Sequence, residues 1–507
     1  MTGSQQNNKK EKKLHQKVTI AGAWVIFGRI LDSSVDFIRL IIICRLFADN
    51  TVALGLFGLA SLSIAVIAQF SQSGFSATLI QRKDIPEDYY DSAWSMELLR
   101  SILLFGMVFA TSPLLGNFLA NPETPGITGS QISNVTRAIA LSSIFMGLSN
   151  IRMVKFIRAL DFKKQFILHS SGRIVNSAVT ISVALCHVSV WALIAGHLAG
   201  NLTNCLTSYI LAPKRPRFTF NIKIYKDLWA YSKWIVFSSI LVFILNQGDD
   251  LFVGKILGFS ALAYYRMAYK ISNLPATEIS HTISRTTVPA YAALQSDLPK
   301  LKDAYLKVLC LTSFISFLIA GLIFALSTQF TITLLSSKWS PIIPAMQTLS
   351  IYGLIRSLSS IISPALRAIS QHHITTRVLT LRLIIMAIII YPLCKSHGFN
   401  GAALAVVINF MVGYPIEQYI AIKKLNASLK ETLKFITIPM VSAIIMIMSI
   451  SYIEYLFNYG GIIPFITLSV AGIAIYLIST VLLSLFFRYN CKAIIVEQLN
   501  TLKNAKK

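Results

Sequence analysis

Acidic side chains, and charged side chains in general, are scarce in this sequence of 507 residues. Aspartate and glutamate number 21 against 46 lysines and arginines, and only 13% of the chain is charged whereas 54% is hydrophobic. A soluble protein of this composition could not cover its own surface with polar groups. The composition excludes an ordinary soluble domain and predicts a polytopic membrane protein.

Motifs for common metal sites and hydrolytic reactions are also missing. The six cysteines and eight histidines contain no CxxC and no HExxH, so neither a zinc site nor a disulfide framework is predicted. No Walker motif and no GxSxG occur, and the loops between apolar segments are too short for a soluble catalytic domain. We therefore expect no catalytic residue, no metal site, no cofactor and no enzymatic activity.

What the chain does contain is a series of apolar segments long enough to cross a bilayer as helices, which takes roughly 20 residues. Fourteen such segments can be distinguished, namely 18–46, 52–73, 92–118, 132–153, 166–186, 190–211, 228–256, 261–292, 304–328, 342–366, 377–394, 399–421, 434–456 and 462–487. The sequence predicts an all-α integral membrane fold with about 14 transmembrane helices.

Basic residues are distributed unevenly over the segments that connect these spans. Twenty-seven lysines and arginines fall in the N-terminal tail, the even-numbered loops and the C-terminal tail, whereas the odd-numbered loops hold only Lys338 and Lys395. Such an excess of Lys and Arg is typical of cytoplasmic loops. The pattern predicts a multi-pass protein of the inner (cytoplasmic) membrane with both termini in the cytoplasm. It also explains most of the net charge of +25 without a nucleic-acid partner.

An internal repeat divides the chain. Trp24–Phe27 is similar to Trp234–Phe237, and Arg158–Leu160 is similar to Arg367–Ile369, at offsets of 210 and 209 residues. Six spans separate the copies, so both halves enter the membrane in the same direction. The predicted organisation is a cytoplasmic tail (1–17), an N-lobe (18–211), a cytoplasmic linker (212–227), a C-lobe (228–421), two extra spans (434–487) and a cytoplasmic tail (488–507).

The first span carries four charged residues, Arg29, Asp32, Asp36 and Arg39. On a helix they share an arc of about 80°. Each charge facing lipid at the bilayer centre would cost roughly 2.5–3.5 kcal/mol, so the stripe is expected to face protein or a water-filled cavity. A structural ion-pair ladder and a substrate site are both open, and Asp32 or Asp36 is a candidate for ion or proton coupling.

A second polar stripe lies in the span 261–292. It consists of Arg266, Lys270, Asn273, Thr277, His281 and Ser284, and Pro275 in its middle predicts a kink. Because arginine presents a planar fork that binds two oxygens, this basic stripe predicts a site for a phosphate-bearing substrate. The alternative is pairing of its cations with Asp249, Asp250 or Glu97.

Three further arginines inside predicted spans are candidates for the same cavity. They are Arg137, Arg173 and Arg356. For each of them, packing or snorkelling at a helix end is the alternative to substrate contact.

At this point several short motifs show a resemblance to a known family. They are Gly28-Arg29, Gly74 with Leu79-Ile80-Gln81-Arg82-Lys83-Asp84, Leu262-Ala263-Tyr264-Tyr265, Asn273-Leu274-Pro275, Val288-Pro289-Ala290 and Leu294-Gln295. Together they resemble the polysaccharide-export, or Wzx-like flippase, branch of the MOP exporter superfamily, over nearly the whole chain. The family often has Gly-Pro after the first span, where this chain has Ala48-Asp49.

The resemblance implies a flippase that moves polyprenyl-pyrophosphate-linked oligosaccharide across the inner membrane by alternating access, for O-antigen, exopolysaccharide or capsule synthesis. In such families basic residues of the first and eighth spans line a central cavity, which here implies Arg29, Arg39, Arg266 and Lys270. The implied partners are the lipid-linked oligosaccharide, membrane lipids and the polysaccharide polymerase machinery.

Three rival functions remain open. A cation-coupled multidrug exporter of the same superfamily would favour an acidic cavity, which the stripes do not suggest. A membrane polymerase or ligase needs a large periplasmic loop, which the predicted topology lacks. A purely structural partner of the glycan machinery would not require buried charges.

Overall fold

The computed structural model describes helices through most of the chain. The described residues are Trp24, 27–29, 31–70, Phe75, Leu79, 85–120, 127–159, 161–212, 214–219, 221–273, Thr287, Tyr291, 294–457 and 461–487. Within them there is no β-strand. Ignoring short 3₁₀ and π turns, the helices are 31–46, Thr51–Phe70, Glu87–Leu119, Gly129–Leu148, Val154–Arg158, Phe162–Cys186, Val190–Leu211, Ile222–Ser272, Leu298–Phe330, Ile342–Ser359, Ile362–Ala368, His372–Lys424, Leu429–Phe457 and Ile462–Phe487.

The predicted all-α membrane fold is confirmed, and each predicted span overlaps helical residues. In the described part, seven helices are long and apolar enough to cross a membrane, or eight if the bent pair Gly129–Leu148 and Ile151–Arg158 is one span. The total of fourteen membrane spans therefore stays a prediction. One reason for the smaller number is that His372–Lys424 counts once, although it overlaps two predicted spans.

Local chemistry explains where several helices begin and break. Thr128 and Gln131 form a reciprocal capping box at the start of Gly129–Leu148, and the Asp161 side chain caps Phe162–Cys186. The two longest helices break at Gly258 and Gly398, whose φ angles are 84° and 60°. Only glycine adopts these angles freely. Both breaks fall in the gaps between predicted spans.

One cysteine departs from the expectation of no disulfide framework. Cys310 is disulfide-bonded. Cys44, Cys186, Cys205 and Cys394 form no disulfide. Sequence spacing alone does not reveal which cysteines meet in a fold.

The chain divides into two compact units, Met1–Ala263 (unit 1) and Tyr264–Lys507 (unit 2). In unit 1, Glu87–Leu119 packs along Gly129–Leu148, and Phe162–Cys186 packs along Val190–Leu211. The division falls inside the predicted eighth span, and the predicted lobe boundaries stay a prediction.

In unit 2, helix Leu298–Phe330 is central. It packs against Ile342–Ser359 and against the two last helices, Leu429–Phe457 and Ile462–Phe487. The core of the unit surrounds it, and Tyr305 and Leu309 on this helix are fully buried.

A close backbone approach in unit 1 involves Gly55. A Cβ atom added there would lie 1.8 Å from the carbonyl oxygen of Phe259. One turn away, Thr51 Oγ1 donates a hydrogen bond of 3.3 Å to Ser260 Oγ. Small residues allow such backbone contact between membrane helices.

We expect Gly55→Ala to destabilise the protein, because the new methyl group meets rigid backbone rather than a flexible side chain. The matched control is Gly106→Ala, where an added Cβ meets nothing within 4 Å. Thermal unfolding of the purified variants should show a lower midpoint for Gly55→Ala only. Equal midpoints would contradict the close approach.

A buried ion-pair network ties the segment after Val190–Leu211 to unit 1. Arg152, whose side chain is only 3% exposed, places Nη1 2.7 Å from Asp91 Oδ1 and Nη2 3.4 Å from Glu87 Oε2. Arg152 also donates to the carbonyl of Arg215, and the backbone N–H of Arg217 donates to Asp91 Oδ1 at 3.0 Å. Residues 214–219 of the predicted linker are therefore fixed to the start of helix Glu87–Leu119.

Removing Arg152 should be costly, since Asp91 would lose a buried cationic partner. Breaking such a pair typically costs about 3 kcal/mol or more. Arg152→Ala is expected to lower the thermal midpoint of the purified protein, whereas Lys223→Ala, which alters an exposed side chain, should not. An unchanged midpoint for Arg152→Ala would show that the network does not hold the segment.

Candidate substrate site

The two carboxylates of the first polar stripe are held by an arginine from another helix. Nη1 of Arg173, on Phe162–Cys186, lies 3.4 Å from Asp32 Oδ2 and 3.2 Å from Asp36 Oδ2. Ser170 Oγ donates a further hydrogen bond of 2.8 Å to Asp32 Oδ1. Asp32 and Asp36 are one helical turn apart, as are Ser170 and Arg173, so two matching faces meet.

This pairing changes the charge balance that the sequence suggested. By sequence, Arg29 and Arg39 are the cations nearest to Asp32 and Asp36. Instead Arg173, 137 residues from Asp36, supplies the counter-charge. With Arg173 included, the stripe contains three arginines and two aspartates. It therefore carries an excess of positive charge.

Within the part of the chain that the structure describes, this arrangement leaves Arg39 without a hydrogen-bond acceptor. Its Nε atom is buried and, among the described residues, has no hydrogen-bond partner. Asp36, Arg173 and His197 interact with it only electrostatically. A desolvated guanidinium without an acceptor is unfavourable, so the position favours binding of an anion. Arg29, on the same helix, is exposed.

A second arginine-centred arrangement lies in unit 2. Nη1 of Arg356 donates hydrogen bonds of 3.1 Å to the hydroxyls of Tyr269 and Tyr352, and these two hydroxyls are 2.8 Å apart. The two tyrosines were not among the sequence-predicted site residues. The sequence does indicate one of them, because Tyr352 and Arg356 are spaced i, i+4 on one helix and their side chains can therefore meet.

The same cluster continues to a third cation. The Tyr352 ring meets Phe410 edge-on at 4.7 Å between centroids, and the guanidinium of Arg382 lies 3.4 Å from the centre of the Phe410 ring. Such cation–π contacts stabilise a desolvated guanidinium. Glu417, also buried, provides electrostatic compensation for Arg382.

The second polar stripe is only partly described. Arg266 is half-buried, Lys270 is exposed, and Asn273 is buried in the turn just after helix Ile222–Ser272. The remaining predicted residues of the stripe lie outside the described residues, namely Thr277, His281 and Ser284.

Arg137 is engaged with its neighbouring helix. Its Nε donates to Ser112 Oγ at 2.7 Å and to the Phe109 carbonyl at 3.4 Å, and its guanidinium lies 4.6 Å from the centre of the Phe109 ring. These contacts are of the packing type that the sequence left open for Arg137. Thus the structure brings Asp32, Asp36 and Arg173 together, and it places Arg137 in a separate contact.

The fold is similar to those of two solved membrane transporters. The inward closed structure of the lipid II flippase MurJ superposes with a TM-score of 0.70 at 18% identity, covering 90% of this chain and 99% of that one. An inward-facing multidrug-resistance MATE transporter of the MOP superfamily superposes with a TM-score of 0.63 at 16% identity, covering 78% of this chain and 94% of that one.

The sequence assigns a family within this fold. Residues 42–344, more than half of the chain, match the family described as polysaccharide biosynthesis protein, and the chain belongs to that family. The lipopolysaccharide biosynthesis protein WzxC of Escherichia coli (strain K12) is 23% identical over 402 residues, which is 78% of each chain. The resemblance inferred from the short motifs is therefore confirmed.

Arg39 and Arg173 should respond differently to removal. Arg173→Ala leaves Asp32 and Asp36 without their cation and is expected to lower the thermal midpoint of the purified protein. Arg39→Gln breaks no hydrogen bond within the described residues and should leave the midpoint nearly unchanged. The reverse order of the two midpoints would contradict these assignments.

Proposed function

We propose that this multi-pass membrane protein is a flippase for polyprenyl-pyrophosphate-linked oligosaccharide at the inner membrane, and that it serves surface polysaccharide synthesis. The observation that carries the site assignment is the buried Nε of Arg39, which has no acceptor among the described residues and lies beside two aspartates that are already paired with Arg173. Family membership and the likeness to WzxC support the same function.

The chemistry of the substrate explains why such a site is needed. A diphosphate cannot cross about 30 Å of hydrocarbon without replacement of its water. Arginine side chains can supply that replacement through charge-assisted hydrogen bonds to phosphate oxygens. The prenyl tail, in contrast, can remain in lipid throughout.

We take Arg29 and Arg39 of unit 1 as candidates for binding the diphosphate and, independently of them, Arg266 and Lys270 of unit 2. Arg39 combines a buried donor with the charge excess of its stripe, and it is the strongest of these candidates. Asn273 is a further polar candidate, as are Thr277 and His281. Alternating exposure of the basic site to the two sides of the membrane would complete the transfer without bond making, so the protein is not an enzyme.

Coupling and topology belong to the same proposal. Asp32 and Asp36 are the candidates for ion or proton coupling, which would require their pairing with Arg173 to change during the cycle. The distribution of basic residues supports a cytoplasmic position for both termini. The polysaccharide polymerase machinery is the expected partner after translocation.

The likeness to a multidrug MATE transporter raises a second candidate function. An exporter of organic cations needs carboxylates that are available to the substrate. In unit 1 the two membrane carboxylates of the first helix are already bound to Arg173. This contact favours an anionic substrate over a cationic one.

The function can be tested in a host strain that lacks this chain and has no second flippase. We expect loss of the surface polysaccharide and accumulation of full-length lipid-linked oligosaccharide, measured by mass spectrometry. Arg39→Gln should restore at most about a tenth of the wild-type polymer, because losing one charge-assisted contact typically weakens binding tenfold or more.

The control for this complementation is Lys223→Gln, an exposed side chain, which should restore polymer fully. Normal polymer in the deletion strain, without accumulated lipid-linked oligosaccharide, would overturn the proposed function. Increased drug sensitivity of that strain would then favour the exporter. Full complementation by Arg39→Gln, at equal protein level, would overturn the site assignment.

A further inference from the structure

Arg356 presents one unoccupied edge of its guanidinium. Its Nη1 atom is held by the hydroxyls of Tyr269 and Tyr352. Its Nε and Nη2 atoms make no hydrogen bond or ion pair within the part of the chain that the structure describes. Nε and Nη2 form the side of the guanidinium that binds two oxygens of a phosphate or carboxylate in parallel.

The arrangement around Arg356 fixes the direction of that edge. The two tyrosine hydroxyls are hydrogen-bonded to each other, and Tyr352, which is only 2% exposed, packs edge-on against Phe410. Phe410 in turn is covered by the guanidinium of Arg382. Each member is held by its neighbour, so Arg356 is oriented before any ligand arrives, which reduces the entropy lost on binding.

The charge balance of the cluster favours an anion at this edge. Arg382 is compensated electrostatically by Glu417. Arg356 has no carboxylate within ion-pair distance among the described residues, and its hydrogen-bond partners there are neutral phenols, while Arg382 is a nearby second cation. Phenol hydroxyls orient the cation without neutralising it. An arginine inside a membrane helix that has only such partners favours an external counter-ion.

We propose that the free edge of Arg356 is a second oxyanion-binding point, which takes a phosphate or carboxylate group of the translocated substrate, with Tyr269 and Tyr352 as positioning residues. This inference rests on the proposed function, since it assigns the ligand to the same lipid-linked glycan. A phosphate would come from the diphosphate linkage, and a carboxylate from an acidic sugar.

The test uses purified full-length protein in nanodiscs and two probes, undecaprenyl diphosphate and glucuronate. Dissociation constants are measured for wild type, Arg356→Lys and the control Arg367→Lys, which alters an exposed arginine of unit 2. Arg356→Lys keeps the charge but loses the two-oxygen edge, and it should weaken one probe about tenfold or more. Weakening of undecaprenyl diphosphate indicates the phosphate source, and weakening of glucuronate alone indicates the sugar acid.

A second variant separates positioning from folding. Tyr269→Phe/Tyr352→Phe removes both hydroxyls but keeps the rings, and it should weaken the same probe several-fold at an unchanged thermal midpoint. Wild-type affinity for both probes in Arg356→Lys would overturn the inference. If Arg39→Gln still weakens undecaprenyl diphosphate in that case, the proposed function stands. If neither variant affects it, the proposed function fails as well.

Discussion

The pairing of Arg173 with Asp32 and Asp36 is the contact on which the character of unit 1 depends. Charges within a membrane protein are tolerated only when they find partners or water. Because one arginine pairs with two carboxylates, both acidic residues of the first stripe already have a partner within the protein. Arg39 then keeps a buried donor that no described residue accepts, and the addition of Arg173 gives the stripe more cations than carboxylates.

Unit 2 holds its cations in a different way. Arg382 is stacked on Phe410 and compensated by Glu417, whereas Arg356 is oriented by two phenol hydroxyls. The difference matters chemically. A carboxylate partner would compete with an anionic ligand for the same guanidinium, while a phenol leaves both the charge and one donor edge available.

Helical segments and their breaks could be predicted from the sequence, because apolar length and glycine placement are local properties. Gly258 and Gly398 lie in predicted gaps for that reason. The partners of charged residues could not be predicted in the same way. Arg173 was recognised as an intramembrane cation, but its contact with Asp36 spans 137 residues, and that of Tyr269 with Arg356 spans 87. Helical periodicity identifies a polar face, but it does not identify which distant face meets it.

These contacts divide the intramembrane arginines by the partner that holds them. Arg173 pairs with two carboxylates, and Arg137 donates hydrogen bonds to a serine hydroxyl and a carbonyl oxygen. Both side chains therefore have their partners within the protein. Arg39, Arg356 and Arg382 keep donors that no described residue accepts. A transporter for organic cations would require the opposite division, with free carboxylates and occupied arginines. These unoccupied arginine donors favour an anionic substrate more specifically than the total charge of +25 does.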